Sequence, residues 1–168
     1  MPYEDSFVTA DDFITHLDGV MDALADPYLQ SRYLGFVALT AVTVFELAIK
    51  QVICEFAARK HTVLGNLTRD KMEKINGRIK LDNLQKEFVR PFGEKYLNRF
   101  KTKLDKMETE SLKSGKGSIK SSYGNIIQWR HEFVHQGRVP STTNYSEMKN
   151  SFQRGKEVIN CLHDSMVR

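Results

Sequence analysis

From Tyr28 to about Lys60, the residues Leu34, Val37, Leu39, Val42, Phe45, Leu47, Ile49, Ile53 and Phe56 recur at helical spacing. Through its middle the stretch is apolar almost all round. A helix of that kind has no face to give to water, so other helices must wrap it. The β-branched residues between Val37 and Val44 raise a strand alternative, which the helical spacing on either side opposes. The remaining chain offers helices to do the wrapping. The expected fold is therefore all-α, a helical bundle with a four-helix up-and-down core and extra short helices. A length of 168 residues fits one domain, residues 1–168.

The other elements follow from caps and breakers. Thr9 followed by Asp11 and Asp12 reads as a helix start, and Asp26-Pro27 as the stop of that first helix. His61 to Thr68 reads as a loop, and residues 69–90 as one or two shorter helices, interrupted near Asn76-Gly77 and ended by Pro91. Tyr96, Phe100, Leu104 and Met107 mark an amphipathic helix that dissolves in Ser111–Gly117. Ser118 reopens a helix that Gly137 closes with a left-handed cap, and Arg138-Val139-Pro140 turns the chain. A last helix runs roughly from Asn144 to Met166. No repeat, hairpin signal or βαβ rhythm interrupts this pattern.

Composition narrows the setting. With 40% apolar residues the chain is too apolar to be disordered, and at this length no disulfide or metal staple is needed. The first residues, MPYEDSFVTADD, are acidic where a signal peptide is basic. The longest apolar run, Gly35 to Leu47, is shorter than a membrane span. Cys54 and Cys161 stand alone, with no CxxC or Cys/His cluster. Together these lead us to expect a reduced, cytoplasmic protein that does not engage a membrane.

The net charge is only +4, but it is unevenly spread. Residues 1–58 carry two basic and nine acidic side chains, whereas residues 59–106 carry fourteen basic and six acidic. A basic middle segment suits a polyanion, because each neutralised phosphate releases counterions. A solvated helical face would look the same.

The chemistry concentrates in Trp129-Arg130-His131-Glu132-Phe133-Val134-His135-Gln136-Gly137. Two sharp readings compete for it. In the first, Arg130 and His135 form an Arg-x4-His pair: a guanidinium holds a phosphate in a planar fork, and an imidazole moves a proton near neutral pH. Those are the two parts needed to cleave RNA without a metal. Five positions set the two side chains about 140° apart on an ideal helix, a gap the long arginine stem can cover. In the second, His131-Glu132-Phe133-Val134-His135 is a literal H-E-x-x-H zinc-peptidase motif with Glu132 as the base. That reading needs a third ligand, available downstream only from Glu147, Glu157 or His163, and a strand to hold the substrate. The plain alternative is a pair of helix-end histidines, one of them capping carbonyls.

The arrangement resembles the HEPN superfamily of α-helical ribonucleases and nucleic-acid-associated domains, in particular the RiboL-PSP-HEPN and related stand-alone groups. The resemblance rests on Arg130, the polar His131 after it, His135, and Gly137 with Pro140 closing the helix. The preceding apolar helix, Ala41–Lys50, and the final helix containing Gly155-Lys156 fit as well. It implies a metal-independent RNA endonuclease needing no cofactor, usually a homodimer with paired motifs facing each other, and often a toxin or defence effector restrained by an antitoxin or regulatory partner. By that resemblance Arg130 grips the scissile phosphate, His135 is the acid or base, and His131 orients the site. A subgroup carries tyrosine two residues after the histidine. Here that position is Gly137. A non-catalytic HEPN-type binding scaffold is the alternative outcome.

Several residues support this reading. Trp129 is placed to stack on a base or to pack in the core. Glu46 interrupts an apolar stretch: a buried carboxylate there needs a partner such as Arg130 or a motif histidine, and a surface position is the alternative. Lys113, Lys116 and Lys120 flank the far end of the motif helix, where they would draw RNA in or simply be solvated.

Overall fold

Asp26 and Pro27 launch the central helix as their chemistry requires. The Asp26 carboxylate accepts the Tyr28 backbone N–H at 2.9 Å, and proline occupies a first-turn position where its missing N–H costs nothing. The computed structural model describes residues 2–75, 77–139 and 142–167. The expected turn at Pro140 and the break at Asn76 lie outside them. In chain order the helices are α1 (Pro2–Asp18), α2 (Pro27–Lys60), α3 (Thr62–Glu73), α4 (Leu81–Asn83), α5 (Glu94–Lys113), α6 (Ile119–Gln136) and α7 (Tyr145–Met166). Among the described residues there is no strand, and the fold is an all-α bundle.

α2 lies at the centre, packed against α1, α3, α6 and α7, while α5 closes the bundle against α7. Phe45, fully buried on α2, stacks between Tyr123 of α6 and Phe152 of α7, each ring centroid 5.5 Å away. Phe36, one end of α2, meets Phe133 edge-on at 5.4 Å, so α6 runs antiparallel to α2. A β-carbon on Gly35 would stand 2.0 Å from the Phe133 ring, so glycine is what lets the two helices meet there.

The sequence reading sized α2 as too short in its apolar run to span a bilayer. As a helix of 34 residues with a window of mean hydropathy 1.8, α2 is long and apolar enough to do so, which corrects that expectation. Yet 56% of that window is buried against its own neighbours, as in the core helix of a soluble protein.

Four boundaries differ from expectation. α1 starts at Pro2 rather than after Thr9, because Tyr3 and Phe7 extend the buried spacing of Ala10, Ile14 and Leu17 by two more turns. The stretch His61–Thr68 is helix, not loop. His61 is extended, its Nδ1 accepts the Val63 N–H at 3.2 Å, and its own N–H bonds Ala57, so one residue ends α2 and caps α3. Residues 84–89 form a π-helical turn, followed by a 3₁₀ turn over Arg90–Phe92 that contains Pro91. There the Glu87 carbonyl takes the Lys71 ammonium at 2.7 Å. Finally, α5 continues through Ser111 to Lys113, since the buried Ser111 hydroxyl finds the Gly117 carbonyl at 2.6 Å.

Candidate active site

α6 is fixed at both ends. Ser118 caps its start by accepting the Ser121 N–H at 2.9 Å. The Glu108 carboxylate, reaching over from α5, accepts the Ser118 hydroxyl at 2.5 Å and the free N–H groups of Ile119 and Lys120 at 2.8 and 3.1 Å. A negative group is favoured there by the positive end of the helix. At the other end Gly137 adopts the left-handed conformation, φ 70°, and its N–H returns to the Phe133 carbonyl. The motif occupies the last two turns of this rigid rod.

Arg130 falls seven positions after Tyr123 and four after Ile126, both fully buried, so its stem points into the bundle and it is half-buried. Its Nη1 comes to 3.6 Å from the point where a β-carbon of Gly77 would stand, and Glu46 Oε1 reaches the same point at 3.6 Å. The expectation that Glu46 lies beside Arg130 thus has a geometric counterpart, although no direct ion pair joins them among the described residues. The buried Nε of Arg130 has no hydrogen-bond partner there either. Tyr123 completes the cluster. Its buried hydroxyl donates to the Ile79 carbonyl at 2.6 Å, which ties the segment around Gly77 to α6. Burial, reinforced by the Glu46 charge, pushes the Tyr123 phenol well above its ordinary range.

The histidines look the other way. His131 and His135 are exposed, their rings 4.4 Å apart and inclined by 53°. The structure brings Arg130 together with Glu46, and His131 together with His135, but no contact joins Arg130 to His135 within one chain. Glu132 is occupied, its Oε1 accepting the Gln128 amide at 2.6 Å. Among the described residues no group of three or more His, Cys, Asp or Glu is placed to hold a metal ion. With no strand there either, the zinc-peptidase reading has neither its third ligand nor its substrate edge.

Trp129 is 6% exposed and packs in the core, so stacking on a base would require it to leave that packing. Lys120 is ion-paired with Asp105, whereas Lys113 and Lys116 are exposed at the end of α5 and in the following loop. All three sit near the start of α6, and fifteen residues of helix put Lys120 about 22 Å from His135. Sequence reasoning did not find Arg32. Held by the Tyr28 hydroxyl at 2.8 and 3.1 Å, its guanidinium comes within 3.7 Å of the point where a β-carbon of the capping Gly137 would stand. It places a cation at the carbonyl end of the motif helix, and no spacing rule links residues so far apart in sequence.

No curated protein and no solved structure matches the chain. The RiboL-PSP-HEPN family does, over residues 5–168. A bundle of this order, with an arginine and a histidine five residues apart at the end of its penultimate long helix, agrees with that match over nearly the whole chain, and the protein belongs to the RiboL-PSP-HEPN family.

Proposed function

We propose that this protein is a metal-independent RNA endonuclease that works as a homodimer in the cytoplasm, in the manner of a toxin or defence effector held in check by a protein partner. The observation that carries the reading is the state of Arg130: a guanidinium half-buried beside Glu46, with an unpartnered Nε, on the same two turns of helix as the exposed imidazoles of His131 and His135. An arginine held that way is prepared to bind a phosphate.

The reaction needs three services. A base takes the proton from the ribose 2′-hydroxyl, whose oxygen then attacks the adjacent phosphorus. A cation stabilises the charge on the phosphorane oxygens. An acid returns a proton to the departing 5′-oxygen, leaving a cyclic phosphate and a free 5′-hydroxyl. His135 serves as base or acid, His131 positions it, and Arg130 holds the phosphate. Base and acid must stand on opposite sides of the phosphorus, which one outward-facing ring pair does not supply.

A second copy does supply it. Val134 lies between the two histidines in the chain and is 50% exposed, and Phe36 and Leu47 of α2 are 48% and 50% exposed. On an ideal helix Phe36 and Leu47 lie within about 20° of each other, so they mark one exposed face of α2, beside the Phe36–Phe133 contact. Apposing that face and Val134 with their copies brings two motifs face to face.

The test separates this from the peptidase and the inert scaffold. In excess EDTA, Arg130→Lys should lower the RNA cleavage rate about a hundredfold, because an ammonium cannot reproduce the planar fork. Glu132→Gln should stay within a few-fold of the parent protein. The opposite ordering, or RNA binding with no turnover in the parent, overturns the proposal.

A further inference from the structure

On the side of α6 away from Arg130, a cleft of about 460 Å³ opens between α6 and α7. Its lining is almost wholly polar: Ser121, Ser122 and Asn125 from α6 face Asn150, Ser151 and Arg154 from α7. None of these six side chains uses its hydroxyl, amide or guanidinium on a partner among the described residues, although Ser122 and Ser151 are only 5% and 4% exposed. Ser121, Asn125 and Asn150 are exposed along the walls of the cleft, so their hydrogen-bonding groups face solvent and are open to a ligand that enters it.

Charge gives the cleft a direction. Arg154 has no carboxylate partner, and its guanidinium lies 3.1 Å from the β-carbon position of Gly117, beside Lys116 in the adjoining hollow. This is the anion end. The other end holds Glu147 and the capping Asn144, where a phosphate would be repelled but an exocyclic amine would be welcome. The adjoining hollow also carries Glu110 and Glu157, so the positive stretch is confined to Arg154 and Lys116. A ligand with an anionic group at one end and amine and hydroxyl groups beside it fits this polarity. A nucleotide within a strand is such a ligand.

The cleft is also in line with the candidate active site. Asn125, Gln128, Glu132 and His135 are spaced by three, four and three residues, one outward stripe of α6 whose continuity is marked by the Gln128–Glu132 hydrogen bond. Ten residues of helix separate Asn125 from His135 by about 15 Å. We propose that the cleft between α6 and α7 is a subsite for single-stranded RNA, with Arg154 taking a backbone phosphate and Asn125 and Asn150 the neighbouring nucleoside. It holds the strand at a fixed distance from the histidines. This rests on the ribonuclease reading for its purpose, but binding can be measured apart from cleavage.

The experiment uses the full-length His135→Ala protein, which binds without cutting, and a fluorescent single-stranded RNA followed by anisotropy. Arg154→Ala should weaken binding about ten- to a hundredfold, the loss of one charge-assisted contact, and reduce the log–log salt slope by about 0.7. Asn150→Asp, which adds a carboxylate to the cleft without removing packing, should weaken it in the same direction. In the cleaving protein both changes should raise KM and leave kcat within about twofold. Unchanged affinity and KM in both variants overturn the subsite while leaving the ribonuclease intact. Loss of binding in Arg154→Ala from a parent that never cleaves RNA overturns the ribonuclease while keeping the subsite.

Discussion

Arg130 and Glu46 both border Gly77, the guanidinium Nη1 and the carboxylate Oε1 each 3.6 Å from the point where a β-carbon would stand. Gly77 has φ +78°, a conformation that costs other residues about 1–2 kcal/mol. The contacts a methyl group would make there are ordinary ones, so the penalty of a substitution is mainly conformational. Glu46 lies near the guanidinium, with no direct ion pair between them among the described residues.

Gly77→Ala should therefore lower stability by about 1 kcal/mol and disturb Arg130 at the same time. Glu46→Ala should reduce kcat on RNA about tenfold with little change in KM, as expected for a positioning residue. Chemical denaturation alongside steady-state kinetics checks both. A purely structural Glu46 would lower the unfolding midpoint and spare kcat.

Val134 stands next to His135 in the chain and is turned about 60° from His131, toward the Arg130 side of α6, on an ideal helix. Val134→Asp should yield a folded monomer with cleavage reduced at least tenfold, since the side chain is half exposed and removes no core packing. Light scattering gives the mass and circular dichroism the helix content. A dimer that survives the change, or a monomer that cleaves normally, contradicts the apposed-motif arrangement.

Three tyrosines set the response to alkali. Burial raises the Tyr3 phenol to about 12, and it raises Tyr123 and Tyr145 above their ordinary 10.0 as well. A phenol whose pKa is higher in the folded state stabilises the fold below the unfolded value and loses that contribution as pH rises through 10 and beyond. Urea midpoints should hold to about pH 9 and fall steadily above pH 10. Tyr123→Phe should flatten part of that fall while costing about 1–3 kcal/mol at neutral pH, because the Ile79 carbonyl loses its donor.

Much of the architecture was readable because local rules coincide with tertiary ones. The unbroken helical spacing of α2, the Asp26 and Ser118 caps and the Gly137 closure each have a residue type that dictates the geometry. The misread segments depend on partners remote in sequence. His61 is an uncommon cap, and α3 folds back closely where Gly65 has no β-carbon, which would stand 2.9 Å from the Ala58 Cα. Ser111 stays helical because a carbonyl six residues on accepts its hydroxyl. The same holds for the site: the motif stood out as a run of side chains, whereas Gly77 and Arg32 reach it from other segments. Helical spacing gave the relation of Arg130 to His135, and the lone carboxylate of Glu46 pointed to Arg130 or a motif histidine, but neither said that the histidines would face outward.

The most direct test of the account is RNA cleavage in excess EDTA by the wild-type protein and by His135→Ala. The wild type should cut RNA and leave cyclic-phosphate ends, and the variant should lose at least a hundredfold in rate. Cleavage that appears only when a divalent metal is supplied, or that proceeds undiminished in His135→Ala, would contradict it.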